Sequence, residues 1–180
     1  GVAALSIEDT LLPRAFGAGN KTSLISIAEG VGKMRAAVSA RQDPGLVIAA
    51  RTSAVSVTGL DDAISRVKAY QETGVDAIFL IGVRQKQELE AIVKHCSLPL
   101  ILGGAGSEIV DLEYLGSLGV RLCLQGHQPA LAAIMATYDT LKALREGVEP
   151  ADVDRILDKD LLNKLSRVEA YDHWIKDFLE

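Results

Sequence analysis

Five short apolar runs, residues 2–7, 46–50, 76–81, 99–102 and 120–124, alternate with amphipathic stretches and constrain this chain more than any motif in it. Each run holds four to six residues, too few for a helix, and is nearly continuous in apolar character. Strands covered on both faces read this way, because neither row of side chains meets water. When helices join consecutive strands, each crossover returns the chain to the same end of the sheet, so the strands run parallel. A doubly wound sheet and a (β/α)-barrel both satisfy that pattern.

The intervening stretches have helical periodicity. Residues 23–40 place Ile27, Val31, Met34 and Val38 three or four apart, on one face. Residues 60–73 open with Asp61 and Asp62, where unpaired backbone N–H groups attract carboxylates, and Gly74 follows as a helix stop. Residues 85–95 and 108–118 repeat the scheme, the second ending at Gly119, and residues 129–145 begin with Pro129 at a first-turn position. Residues 150–180 read as charged helix carrying Tyr171, Trp174 and Phe178 at helical spacing. That stripe packs either on its own barrel or on a neighbouring subunit.

Five strands are three short of a closed eight-stranded barrel. The chain also starts Gly1-Val2-Ala3, with no initiator Met, and enters directly into an apolar run. The expectation is a fragment: an α/β chain forming part of a (β/α)8 TIM barrel, with the N-terminal strands upstream. Residues 1–147 would be the C-terminal portion of the barrel and residues 148–180 a helical extension.

Composition narrows the partners. With 48% apolar residues the chain can bury a sizeable core, and a net charge of -5 with no basic stripe argues against nucleic acid. Cys96 and Cys123 lie far from any disulfide framework or metal-ligand spacing, and Cys123 reads as a small buried hydrophobe. No apolar run reaches the roughly 18 residues of a membrane span, and no signal peptide is evident, so a reducing cytoplasmic setting is expected.

In parallel α/β folds, function collects at the carboxyl ends of the strands. Glu8 and Asp9 follow the first run, Arg51 the second, Gly82-Val83-Arg84 the third, a glycine-rich turn at 103–106 the fourth, and Gln125-Gly126-His127 the fifth. A carboxylate pair, an arginine and a histidine on one rim suit a divalent metal and an anionic substrate. Each residue has a plainer alternative. Asp9 can cap the next segment, Arg51 can close a core salt bridge, and His127 can cap the helix after it, while His95 and His173 read as solvated. Gly17-Ala18-Gly19-Asn20-Lys21-Thr22 is not a P-loop, because Asn20 stands where glycine must precede the lysine. The turn at 103–106 lacks the spacing of a dinucleotide fingerprint and reads as a tight strand-to-helix turn.

Gly1-Val2-Ala3-Ala4-Leu5-Ser6-Ile7-Glu8-Asp9 resembles the fourth-strand motif of the isocitrate lyase/phosphoenolpyruvate mutase superfamily, an apolar strand ending in Glu-Asp. The stretch from Lys33-Met34-Arg35 to Arg41 is similar to its following helix. Ile48-Ala49-Ala50-Arg51-Thr52-Ser53-Ala54 resembles its fifth-strand Ile-x-Ala-Arg-Thr-x-Ala signature, and the likeness continues through Gly59-Leu60-Asp61-Asp62 and Thr73-Gly74-Val75-Asp76. The resemblance implies that Glu8 holds the water shell of an essential Mg²⁺ (or Mn²⁺), and that Arg51 contacts a substrate carboxylate. It also implies that the aspartates nearest the metal sit on earlier strands, which this sequence does not contain.

Departures select the branch. Isocitrate and methylisocitrate lyases carry Lys-Lys-Cys-Gly-His after the Glu-Asp strand, whereas this chain reads Leu12-Pro13-Arg14-Ala15-Phe16-Gly17, without Cys or His. Phosphonopyruvate-type members have lysine and asparagine in this loop and histidine near the end of strand six, where Arg14, Phe16 and Ile81 stand here. The Thr10-Leu11-Leu12-Pro13 loop, the Ile81-Gly82-Val83-Arg84 turn and Gly126-His127 instead resemble the oxaloacetate decarboxylase branch, where a histidine after the last strand lies beside the substrate. That likeness implies Mg²⁺-dependent decarboxylation of a small 2-oxo dicarboxylate, oxaloacetate, to pyruvate and CO₂ through an enolate. Arg51 and His127 would bind the substrate and take part in catalysis, and the C-terminal helices would be exchanged in a homotetramer. Another C–C or P–C bond lyase of the superfamily, and a non-catalytic barrel that binds a metabolite, stay open as alternatives.

Overall fold

The computed structural model describes residues 1–13, 16–17, 19 and 22–179. Arg14 and Ala15 of the loop compared above, and Asn20 and Lys21 of the P-loop-like stretch, lie outside the described residues. The chain divides into two compact units, Gly1–Gly126 and His127–Glu180.

The first unit alternates strand and helix: β1 (Ala4–Glu8), α1 (Ile27–Ala40), β2 (Val47–Thr52), α2 (Ala54–Val57), α3 (Leu60–Gln71), β3 (Ala77–Leu80), α4 (Lys86–Val93), β4 (Leu100–Leu102), α5 (Leu112–Ser117) and β5 (Val120–Cys123). The strands form one parallel sheet in the order β1-β2-β3-β4-β5. A doubly wound sheet would reverse its strand order at a switch point. This one never does, so it is an arc of a (β/α)-barrel.

Alternation along the strands sorts the side chains. Ile48, Ala50, Ile78, Leu80, Leu100 and Leu102 point one way and pack with Met34, Val67, Leu89 and Ile92 of the helices in the main core. Ala49, Ala77 and Phe79 point the other way, joined by Ile81 and Ile101 in a small second cluster. The helices therefore cover one face of the sheet, and the polar rim residues are carried on the other.

The helix starts follow local capping chemistry. Ser26 accepts the N–H of Glu29, so α1 begins at Ile27 rather than at residue 23. The helix expected over 108–118 is broken in two: a 3-10 turn at Ser107–Ile109, then α5, whose N-cap Asp111 accepts the N–H groups of Glu113 and Tyr114. Gly74 and Gly119 close their helices at positive φ, as their places in the sequence predict. Cys123 is half-buried against the main core rather than fully enclosed.

The second unit holds α6 (Gln128–Arg145), α7 (Lys159–Leu165) and α8 (Val168–Phe178), with a 3-10 turn at Pro150–Asp152. Asp158 caps α7 by accepting the N–H of Leu161. Tyr171 and Trp174 meet edge to face with ring centroids 5.2 Å apart, and Arg167 stacks on Trp174. Among the described residues of this unit no side chain is buried. Among the described residues, no helix of either unit is long and apolar enough to cross a membrane.

Candidate functional site

Parallel pairing sets Glu8 beside Arg51, Arg51 beside Phe79, and Phe79 beside Ile101, one row across the carboxyl half of the sheet. Because the row follows the register, these side chains share the face away from the helices. Glu8 and Arg51, two of the residues singled out from the sequence, are thereby brought together: Glu8 Oε2 lies 3.4 Å from Arg51 Nε. On its other side the Arg51 guanidinium sits 5.3 Å from the centre of the Phe79 ring, a cation–π arrangement. Gly103 makes room for this row, since a Cβ there would run into Ile81 and come within 3.2 Å of Phe79. Behind the strand end, Lys33 of α1 donates to the Glu8 carbonyl at 2.6 Å.

Both members of the Glu8–Arg51 pair are half-buried, yet Arg51 Nε itself is buried without a hydrogen-bond partner. A buried charged donor seeks an acceptor, and the Glu8 carboxylate approaches without satisfying it. The arrangement is a cation held in place by a ring and a carboxylate, with donor capacity left for an anion.

The adjoining carboxylate goes the opposite way. Strand alternation turns Asp9 toward the helices, where it is fully buried. Its Oδ2 accepts from Arg66 Nη1 and from the Tyr70 hydroxyl, each at 2.9 Å. Arg66 also donates to the Tyr70 oxygen at 3.1 Å and, through Nε, to Asp62 at 2.8 Å. Burial opposes charge on Arg66, but hydrogen bonds to Asp62 and Tyr70 and the charge of Asp9 outweigh it and hold the guanidinium above its ordinary pKa. Burial, reinforced by the Asp9 charge, pushes the Tyr70 hydroxyl well above its ordinary range, so it remains a donor. Asp9 is therefore a core ion-pair residue, not a cap of the following segment.

Arg66, Tyr70 and Phe79 were not singled out as site residues from the sequence. A signal was present: Asp62, Arg66 and Tyr70 recur every fourth residue, interleaved with Ala63 and Val67, on the face of α3 that should be apolar. Polar groups on a buried helix face need partners, and an acidic residue at a strand end is where one is found. Phe79 gave no such signal, because an aromatic within an apolar run looks like core.

His127 opens the second unit at the N-cap position of α6. Its carbonyl accepts the N–H of Leu131 at 3.1 Å, while its exposed side chain makes no capping bond. His95 and His173 are exposed, as expected. In the first unit, the turns after β3 and β4 enclose an open cleft of about 480 Å³, lined by Gly82, Arg84, Gly104 and Ser107 among others. Among the described residues, no group of three or more His, Cys, Asp or Glu is placed to hold a metal ion.

The chain is 49% identical over 179 residues to an oxaloacetate decarboxylase of Bradyrhizobium sp. (strain ORS 278), a match covering 99% of this chain and 62% of that protein. Its fold is similar to that of a phosphonopyruvate hydrolase solved with oxalate and Mg²⁺ (TM-score 0.73, 26% identity, 99% of this chain and 63% of that one). It is similar also to an oxaloacetate acetylhydrolase solved with the inhibitor 3,3-difluorooxalacetate (TM-score 0.74, 25% identity, 98% and 61%). The chain thus spans somewhat under two thirds of the length of the proteins it matches. The family model described as phosphoenolpyruvate phosphomutase matches residues 1–145, and the chain belongs to that family.

Proposed function

We propose that this chain carries the substrate-carboxylate side of a Mg²⁺-dependent carboxy-lyase site, acting on oxaloacetate to give pyruvate and CO₂. The observation that carries this reading is Arg51, fixed at a strand end between Phe79 and Glu8 with a buried, unpartnered Nε. A guanidinium held by a ring and a carboxylate, and only half-buried, can take a substrate carboxylate through charge-assisted bonds. The likeness to the Bradyrhizobium decarboxylase favours oxaloacetate as the acid.

Glu8 fits a partner to Mg²⁺ through water, because that ion keeps several of its waters and uses few carboxylates. It is not a metal centre by itself, and the described residues supply no other complete one. When bound, Mg²⁺ (or Mn²⁺) supplies Lewis-acid polarisation of the keto oxygen. Arg51 holds a carboxylate of the substrate in orientation. The C3–C4 bond breaks, C4 leaves as CO₂, its electron pair passes into an enolate, and C3 then takes a proton. His127 is assigned to position the leaving carboxylate or to help deliver that proton.

Arg51→Ala should lower kcat/KM on oxaloacetate with Mg²⁺ by about ten- to a hundredfold, the worth of one charged hydrogen bond. His127→Ala should lower it too. Wild-type kcat/KM in both variants sinks the site assignment. A panel of 2-oxo and 2-hydroxy diacids with phosphonopyruvate separates oxaloacetate from the substrates of other family lyases. The alternative of a different class is a barrel that binds a metabolite without turnover. Oxalate binding with no product from any acid in the panel would establish it.

The same proposal extends to the assembly. Residues 1–147 act as barrel and residues 148–180 as a helical extension. The exposed Tyr171, Trp174 and Phe178 of α8 support exchange of that extension in a homotetramer, which light scattering would measure. Two free, half-buried cysteines support a reducing, cytoplasmic setting.

A further inference from the structure

The buried network of Asp9, Arg66, Tyr70 and Asp62 makes poor sense as a stability device. Asp9 Oδ1 is buried with no partner, although Oδ2 accepts two bonds. Buried ion pairs seldom repay their desolvation, and well-packed apolar residues of similar volume often do as well or better. A network that leaves one acceptor unsatisfied does worse still. Its value must lie in what it holds.

Through the main chain, Asp9 holds both rim residues. It is bonded directly to Glu8, its N–H donates to the Arg51 carbonyl at 3.2 Å, and its own carbonyl accepts the N–H of Ile25 at 2.9 Å. Register is the quantity at stake. A one-residue slip of β1 would exchange the faces of two adjacent carboxylates, burying Glu8 and presenting Asp9 at the rim. Arg66 and Tyr70 offer a socket for one carboxylate at one depth. The socket is itself built to fit, since Gly30 of α1 lies against the Tyr70 ring where any Cβ would collide.

We infer that Arg66 and Tyr70 are positioning residues which, by gripping Asp9, set the register of the β1 terminus and so the mutual placement of Glu8 and Arg51. For its link to turnover this rests on the carboxylate-binding role proposed for that pair. The distinguishing comparison is with Asp76→Asn, which loosens the sheet at the amino ends of the strands.

In Tyr70→Phe the ring is kept and one donor to Asp9 is lost. Arg66→Lys keeps the charge and loses the fork. The readouts are melting temperature, the ¹⁵N resonance of Arg51 Nε in the chain itself, and kcat and KM on oxaloacetate with Mg²⁺. Tyr70→Phe and Arg66→Lys should broaden or shift the Arg51 Nε resonance and lower kcat/KM about tenfold or more, as misplacement of binding groups does. Asp76→Asn should lower the melting temperature and leave both within twofold of wild type. If all three variants lose only melting temperature, with the Arg51 resonance unmoved, the inference is overturned. If the resonance responds as stated while the wild-type protein, assayed with the metal-bearing upstream strands present, forms no pyruvate, the positioning role stands and the decarboxylase reading falls.

Discussion

Two arginine–aspartate clamps hold the sheet of the first unit, one at each end of its strands. At the amino ends, Arg41, just past α1, meets Asp76 at 2.7 Å with side chains 20% and 38% exposed. The same Asp76 oxygen accepts the N–H of Ile48 at 2.8 Å, and Arg41 reaches the Leu46 carbonyl at 3.1 Å, so the pair ties α1 to the starts of β2 and β3. At the carboxyl ends, Arg66 meets Asp9 at 2.9 Å with side chains 6% and 0% exposed. The first clamp is open to solvent. The second is shut off, carries an orphaned oxygen, and sits directly behind the rim that bears Glu8 and Arg51. Barrel enzymes keep chemistry at the carboxyl face and stability at the amino face. Here the costly clamp is at the face where positions matter, and the inexpensive one is where they do not.

The widest gap between the clamps should appear when each loses its arginine. Arg66→Met strands a fully buried Asp9 and should destabilise the chain by about 3–5 kcal/mol. Arg41→Met leaves a water-accessible Asp76 and should cost about 1 kcal/mol or less. Urea unfolding of both variants measures the difference, and equal losses break the contrast between the two ends. A smaller effect sharpens it. Gly30→Ala pushes a methyl group into the Tyr70 ring and should cost about 1–3 kcal/mol. Gly32→Ala, two residues on in the same helix with open space around it, should instead stabilise by about 0.5–1 kcal/mol. If both glycine variants gain stability, the socket around Tyr70 is looser than drawn.

What the chain disclosed in advance follows the same division. The five apolar runs were legible because each is nearly continuous in apolar character, too short for a helix, and separated from the next by helical periodicity. Sequential order, which separates an arc from a doubly wound sheet, was not legible in the runs alone, since each crossover is locally identical in either fold; the strand count and the family resemblance selected the barrel, and the strand order agrees. Glu8 and Arg51 were legible as strand-end charges, and their union needed only the register. Asp9 was ambiguous because alternation tells which face a residue takes, but not which face the helices cover. Its partners were hidden further: Arg66 and Tyr70 lie 57 and 61 positions along the chain, too remote for local spacing to reveal. His127 was singled out from its place after the fifth run, and the structure puts it at the head of a separate unit. The split of the helix at Asp111 was missed because a 3-10 turn followed by a capped helix preserves the polarity pattern of a single one.

Asp62 is the member of the carboxyl-end network that water can reach, its side chain 28% exposed, and it offers the smallest and most selective test. Burial pushes its carboxyl up, but hydrogen bonds from Arg66 and Thr58 outweigh this and hold the pKa below the ordinary value. A group depressed in the folded state stabilises most when it is ionised in both states, above its unfolded pKa of about 3.9. As pH falls below that, the unfolded chain takes up the proton first, and the contribution is lost through the folded pKa. Asn at this position keeps an acceptor oxygen and removes only the charge. Asp62→Asn should therefore cost about 0.3–0.5 kcal/mol at neutral pH, constant down to about pH 5, and shrink toward nothing in stronger acid. Chemical unfolding of both proteins from pH 7 to pH 3 traces that difference. A gap that widens on acidification would mean that Asp62 is not held ionised by Arg66. The guanidinium that grips Asp9 would then lack its second anchor, and the rigidity claimed for the carboxyl end would have to come from Tyr70 alone.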